Sequence, residues 1–122
     1  MQKNSLNKVI LIGRLGGKPE GRYTQKGRSV VNFSLATNES WVNDNNKTIE
    51  HTEWHIIIAW DKLAEFANEY LYKGQLVSIE GSLRTRSWDD KEYPIKRKST
   101  EILCSNICPL EWKKEEKTKQ TI

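Results

Sequence analysis

Apolar and polar residues alternate along most of this chain. In "VVNFSLATNESW" (Val30–Trp41), Val31, Phe33 and Leu35 fall on one face and Asn32, Ser34 and Ala36 on the other. That is the period of a half-buried strand. "NKVILIGRL" (Asn7–Leu15) and "TEWHIIIAW" (Thr52–Trp60) are rich in β-branched residues and read as strands on either side of it. "QLVSIEGSLRTRSW" (Gln75–Trp88) and "STEILCSNI" (Ser99–Ile107) supply two more. Gly81 lies inside the first of these, where a bulge or a barrel corner is expected. Between the strands, "GGKPEGRYTQKGRS" reads as a loop by its Gly and Pro, "VNDNNKTIEH" as an exposed hairpin loop, and "DDKE" as a turn. One segment changes period. "DKLAEFANEYLYKG" brings Leu63, Phe66, Ala67, Tyr70 and Leu71 to one side at helical spacing, with Asp61 as N-cap and Gly74 as the C′ stop.

The order is therefore three strands, one helix, two strands. This is an all-β chain with one helix, and it fits the OB-fold, a five-stranded Greek-key barrel with its helix between strands three and four. A β-sandwich with one helical crossover is the competing architecture. With 122 residues there is room for one domain with a real core. We assign it to residues 1–110 and find no repeat and no second domain. Residues 111–122 read as a short charged tail, expected to be mobile.

Composition narrows the partners. Charged residues make up 30% of the chain, the net charge is +4, and the pI is about 9.1, which favours an acidic partner without naming one. No run approaches the roughly 18 apolar residues of a membrane span, and the polar start "MQKNSLNK" has no apolar signal region. A cytoplasmic protein is expected. Cys104 and Cys108 are too far apart along a strand for a disulfide and are expected to be free thiols. A zinc site with His51 and His55 would need sharp turns at both pairs, so ordinary strand positions are the simpler reading. The chain has no Gly-rich phosphate loop, no nucleophile in a recognisable turn and no cluster of metal ligands, so we expect no catalytic residue, no cofactor and no metal.

The tryptophans are more informative. Trp41, Trp54, Trp60 and Trp88 stand at strand ends beside polar residues, not inside apolar runs. Trp54 and Trp60 are six residues apart on one strand and share its face. In "RTRSW", Arg84, Arg86 and Trp88 alternate and share another. Each indole could simply cover an edge of the core, its N–H bonded to a carbonyl. Four together, interleaved with cations, fit a second role. Bases of a single strand stack on aromatic rings at about 1–3 kcal/mol each, whatever the sequence, while cations follow the phosphates. An RNA-binding OB module and a protein-interaction barrel with a tryptophan-lined interface are the alternatives.

"NKVILIGRLG", "PEGRYTQKG", "NFSLATNESW", "TEWH", "KLAEFANEYLYKG" and "IEGSLRTRSW" resemble, in order and spacing, the bacterial single-stranded DNA-binding proteins. The resemblance spans roughly Asn7 to Trp88. It implies an OB-fold subunit of a homotetramer that binds single-stranded DNA in replication, recombination and repair, in the cytoplasm with the nucleoid. It implies that Trp41, Trp54 and Trp88 stack bases, and that Trp60 does so where the family often has Phe. It implies DNA-facing roles for Lys8, Arg22, Lys62, Lys73, Arg84 and Arg86, and an interface role for His55. Ile56 departs from the family, which commonly has a basic residue there. Lys96, Arg97 and Lys98, beyond the resemblance, form a basic cluster within reach of a strand. The family's acidic, apolar tip is not found in "EWKKEEKTKQTI", with its four Lys and three Glu, so recruitment of partners through this tail is not expected.

Overall fold

The computed structural model describes residues 2–112. The elements run β1 (Val9–Leu15), β2 (Glu20–Tyr23), β3 (Ser29–Val42), β4 (Thr48–Trp60), α1 (Lys62–Tyr70), β5 (Leu76–Asp89) and β6 (Lys96–Pro109). The sheet order is β1-β5-β6-β4-β3-β2, and a further pairing of β1 with β3 closes the first five strands into a barrel. All pairings are antiparallel except β4–β6, where Ile57 meets Ile102 and Ile58 meets Leu103. The closing pairing is equally short, Arg14 to Ala36 and Leu15 to Leu35. Gly13 stands next to it, and a Cβ there would run into the backbone carbonyl of Ala36. The missing side chain is what lets β1 approach β3. The bulge expected at Gly81 is present: the β5–β6 register slips at Glu80/Gly81, leaving Ser105 as the extra residue.

The alternation seen in the sequence becomes the barrel interior. Val31, Phe33, Leu35, Ile57, Ala59, Val77, Ile79 and Ile102 are buried together. α1 adds Ala64 and Ala67, and Leu71 just beyond it joins them. Tyr70, expected on this stripe, is turned outward, 47% exposed. Asp61 does occupy the N-cap position, but its side chain makes no capping bond. The helix stops at Tyr70 with Leu71 as its C-cap, so Gly74, with φ of 85°, serves the following turn instead.

Two loops of the sequence reading are partly strand. β2 lies within "GGKPEGRYTQKGRS" and makes six strands of the expected five. All four of its residues are exposed. The ladder to Ser29–Asn32 of β3 holds it, not burial, so it carries no apolar signature. The expected hairpin loop shrinks in the same way. β3 and β4 pair out to Val42 and Thr48, and Asn43 Oδ1 accepts from the N–H groups of Asn45 and Lys47 to close the turn.

Cys104 is buried and Cys108 exposed, both free, and burial pushes the Cys104 thiol up to about 11. Among the described residues, no helix is long and apolar enough to cross a membrane.

Glu111 and Trp112, which open the charged segment of the sequence reading, are fastened to the barrel. Arg14 reaches both carboxylate oxygens of Glu111, at 2.8 and 3.3 Å, and the Leu76 N–H donates to the same group. The fully buried Gln75 donates to the Glu111 carbonyl at 2.7 Å. Trp112 meets Tyr70 edge-on, centroids 6.1 Å apart. The rest of that segment, 113–122, lies outside the described residues.

Arg14 and the Leu76 N–H hold the Glu111 carboxyl below its ordinary value of 4.5. A carboxylate lowered on folding stabilises above its unfolded pKa, and that contribution is lost as pH falls through the folded value. Thermal melts should therefore lose stability on acidification below about pH 4.5. Glu111→Gln should melt lower at neutral pH and lose less on acidification. An identical pH profile in the variant would show that this latch does not couple to folding.

Candidate nucleic-acid interface

β4, β6 and β5 lie side by side, and their register decides which side chains share a face. Ile58 pairs with Leu103, and Leu103 with Ser82, so these three stand on one side of the sheet. Ile57 and Ile102, on the other side, are buried in the barrel. The Ile58 side is therefore the outward one. Counting by twos along the pleat adds Trp54, Ile56 and Trp60 on β4, Arg84, Arg86 and Trp88 on β5, and Arg97 and Glu101 on β6. Two rows that the sequence grouped strand by strand are thus joined across three strands on one surface.

Each ring is seated differently. Trp54 is 58% exposed, and its ring rests over Gly16, where a Cβ would come within 2.5 Å of it. Trp88 is 39% exposed and carries the Arg86 guanidinium 4.5 Å above its ring. The Nε of Arg86 lies 3.5 Å from the Glu101 carboxylate. Trp60 is half-buried and lies under Arg28, 4.6 Å from the ring centroid. Between Trp60 and Arg84 a shallow depression is floored by Ile58 and Leu103.

The remaining expected residues are spread more widely. Arg22 pairs with Val30, and Val30 with Trp60, so Arg22 extends the same face across β3 to β2. Lys8 borders a depression that Ser82 and Leu103 also line, at the rim of that face. Lys62 opens α1 directly after Trp60 and Asp61. Lys73 lies past the other end, about 13 Å of helix away. Trp41 does not join the others. It pairs with Ile49, on the side of the β3–β4 ribbon that carries Phe33 and Leu35 in the barrel, whereas Trp54 pairs with Ala36 on the opposite side. His55 is half-buried, its Nε2 2.9 Å from Thr37 Oγ1, and His51 pairs with Glu53 at 2.8 Å. Both therefore sit as strand residues, apart from the cysteines of β6. In the basic cluster, Lys96 is tied to Asp89 and Arg97 to Asp90, at 3.1 and 2.8 Å.

Two cations near this face escaped the sequence reading. Lys18 shares a depression with Ile56, Gly16 and Asn32, beside the position where a basic side chain was expected. Arg28 sits at the end of the turn before β3, its guanidinium bonded twice to Asp61. No spacing rule finds either, because both are brought in by loops that fold back. A hint existed in "KGRS", a basic turn opening onto the strand that pairs with Trp60. Arg28 holds the Asp61 carboxyl below its usual range, and Arg97 does the same for Asp90 with help from the Glu92 and Tyr93 N–H groups. The surface thus offers three flat rings and several guanidiniums: stacking without hydrogen-bond readout, with charge for a polyanion.

Comparison with known proteins bears on this surface. Residues 6–110 match the model of the single-strand binding protein family. Single-stranded DNA-binding protein 1 of Chlorobaculum tepidum is 53% identical over 102 residues, which cover 84% of this chain and 63% of that protein. The single-stranded DNA-binding protein of Neisseria meningitidis serogroup A is 48% identical over 103 residues, covering 84% and 59%. The chain therefore spans about three fifths of the length of these relatives. Among solved structures, a Plasmodium falciparum SSB complex with ssDNA superposes with a TM-score of 0.79 at 38% identity, over 91% of this chain and all of that one. A deletion mutant of the single-stranded DNA binding protein from Thermus aquaticus gives 0.75 at 31% identity, over 87% of this chain and 51% of that one.

Proposed function

Because the chain belongs to the single-strand binding protein family, we propose that it holds single-stranded DNA without regard to sequence. The observation that carries this is the common outward face of Trp54, Trp60, Trp88, Arg84 and Arg86. Bases stack on the indoles and the guanidiniums meet the phosphates between them. Arg22, Lys8 and Lys62 extend the basic track, and Lys73 serves a strand that passes the far end of α1. Trp41 stacks a base only if the strand passes round the β3–β4 arm. The protein acts by binding, not by catalysis, as a homotetramer that protects exposed strands in replication, recombination and repair. His55 lies at a subunit contact of that assembly. Its place of action is the cytoplasm, on the DNA of the nucleoid.

Tryptophan fluorescence tests this directly. Oligo-dT should quench the indoles strongly, and duplex DNA of equal length should compete poorly. Equal competition by duplex overturns the reading, and preference for poly-U marks an RNA-binding module instead. A protein-interaction barrel would show no quenching by oligo-dT. With both Arg84 and Arg86 changed to Ala, the log–log salt slope should flatten by about 0.7 for each phosphate that is no longer met. An unchanged slope means that these side chains do not meet phosphates.

A further inference from the structure

The junction between β4 and α1 holds an arrangement that folding alone does not account for. Asp61 has φ of 57° and ψ of −122°. That combination lies outside the left-handed well that Asp tolerates, in a region where glycine sits without strain. The carboxylate does not cap the helix behind it. It is instead gripped by Arg28, Nη2 to Oδ2 at 2.8 Å and Nε to Oδ1 at 3.2 Å. Both side chains are more than half exposed, so the pair contributes little to stability. A strained acid has been placed where glycine would rest, for an ion pair that stabilises weakly. Its location suggests the reason: the same guanidinium lies over Trp60.

Resting on the function proposed above, we propose that Arg28 is a further phosphate-binding residue of the DNA face and that Asp61 competes with the phosphate for it. The fork of N–H groups that fits a carboxylate also fits a phosphate. The phosphate of a nucleotide stacked near Trp60 arrives within reach of Arg28 and must displace Asp61, whose charge then stands beside the incoming anion. Arg28 itself is well placed: it directly precedes Ser29, the first residue of β3, and the next residue, Val30, pairs with Trp60. Its main chain is fixed by the turn, its N–H donating to Thr24 Oγ1 and its carbonyl accepting from the Thr24 N–H. Asp61 thus weakens the grip of the Trp60 end of the surface relative to the Trp54 and Trp88 end.

The test is a cycle of four proteins measured with oligo-dT over a range of salt: wild type, Asp61→Asn, Arg28→Ala and the double variant, with Asp61→Gly as a fold-preserving check. Asp61→Asn and Asp61→Gly should tighten binding at low salt by roughly two- to fivefold, the range an exposed charge pair supports. Their salt slope should steepen by up to about 0.7, the increment of one phosphate. In the Arg28→Ala background the gain should vanish. An equal gain in that background means a general charge effect and overturns the proposal, as does no gain in either Asp61 variant. Trp88→Ala separates this from the wider reading. If it weakens binding while Asp61→Asn does nothing, only the competition fails; if wild type does not bind oligo-dT, both fail.

Discussion

Changing Trp54 and Trp88 together to Ala should weaken oligo-dT binding by about 2–6 kcal/mol, the sum of two stacking losses of about 1–3 kcal/mol each. The two rings lie on different strands, at β4 and β5, so each supports a separate nucleotide and the losses should add. The effect should be the same for oligo-dT and mixed sequences, because a flat ring reads no base edge. Stability should change little, since both side chains are substantially exposed and neither belongs to the buried cluster. Trp60 remains as a fluorescent reporter, and titration at fixed salt gives the affinity. A loss below threefold, with melting unchanged, would mean that these indoles are surface ornaments of the barrel and that binding runs elsewhere.

Gly13→Ala should be the most damaging small substitution in the barrel. The added methyl meets the Ala36 carbonyl, which is backbone and cannot swing aside. It falls next to the two residue pairs by which β1 closes on β3. Overpacking at a rigid contact costs about 3 kcal/mol at the high end, which for a domain of this size lowers the melting temperature on the order of 15 °C. A calorimetric melt measures it. A shift of only a degree or two would show that the closing seam is slack.

The interior of this barrel was legible because burial and alternation are the same signal. Val31, Phe33 and Leu35 declare both a strand and its inner face, and all three are buried as read. β2 was not legible because hydrogen bonding to β3, without burial, defines it, and a ladder leaves no mark on side-chain choice. The helix boundary was misjudged for a related reason. Tyr70 keeps helical spacing, but the chain leaves the helix there and turns the ring outward to meet Trp112. Of the candidate surface, the row Arg84, Arg86, Trp88 could be read within one strand. Its union with Trp54 and Trp60 needed the β4–β6 register, which no local pattern encodes. Trp41 was grouped with the other indoles by its strand-end position beside polar residues, and the pleat places it on the opposite side of the β3–β4 ribbon from Trp54. Arg28 was hidden because its partners, Trp60 and Asp61, lie across the sheet.

The barrel is also two leaves, β1-β5-β6 and β2-β3-β4, joined by seams of two residue pairs each. Long antiparallel ladders fasten the strands within each leaf, so opening along the seams breaks few hydrogen bonds. In amide exchange the leaves should behave as two cooperative units, with the seams giving way before either unfolds. The face described above straddles one seam, with Trp54 and Trp60 on one leaf and Arg84, Arg86 and Trp88 on the other. A strand lying across it would act as a staple, and its grip would be felt as slower breathing of the fold.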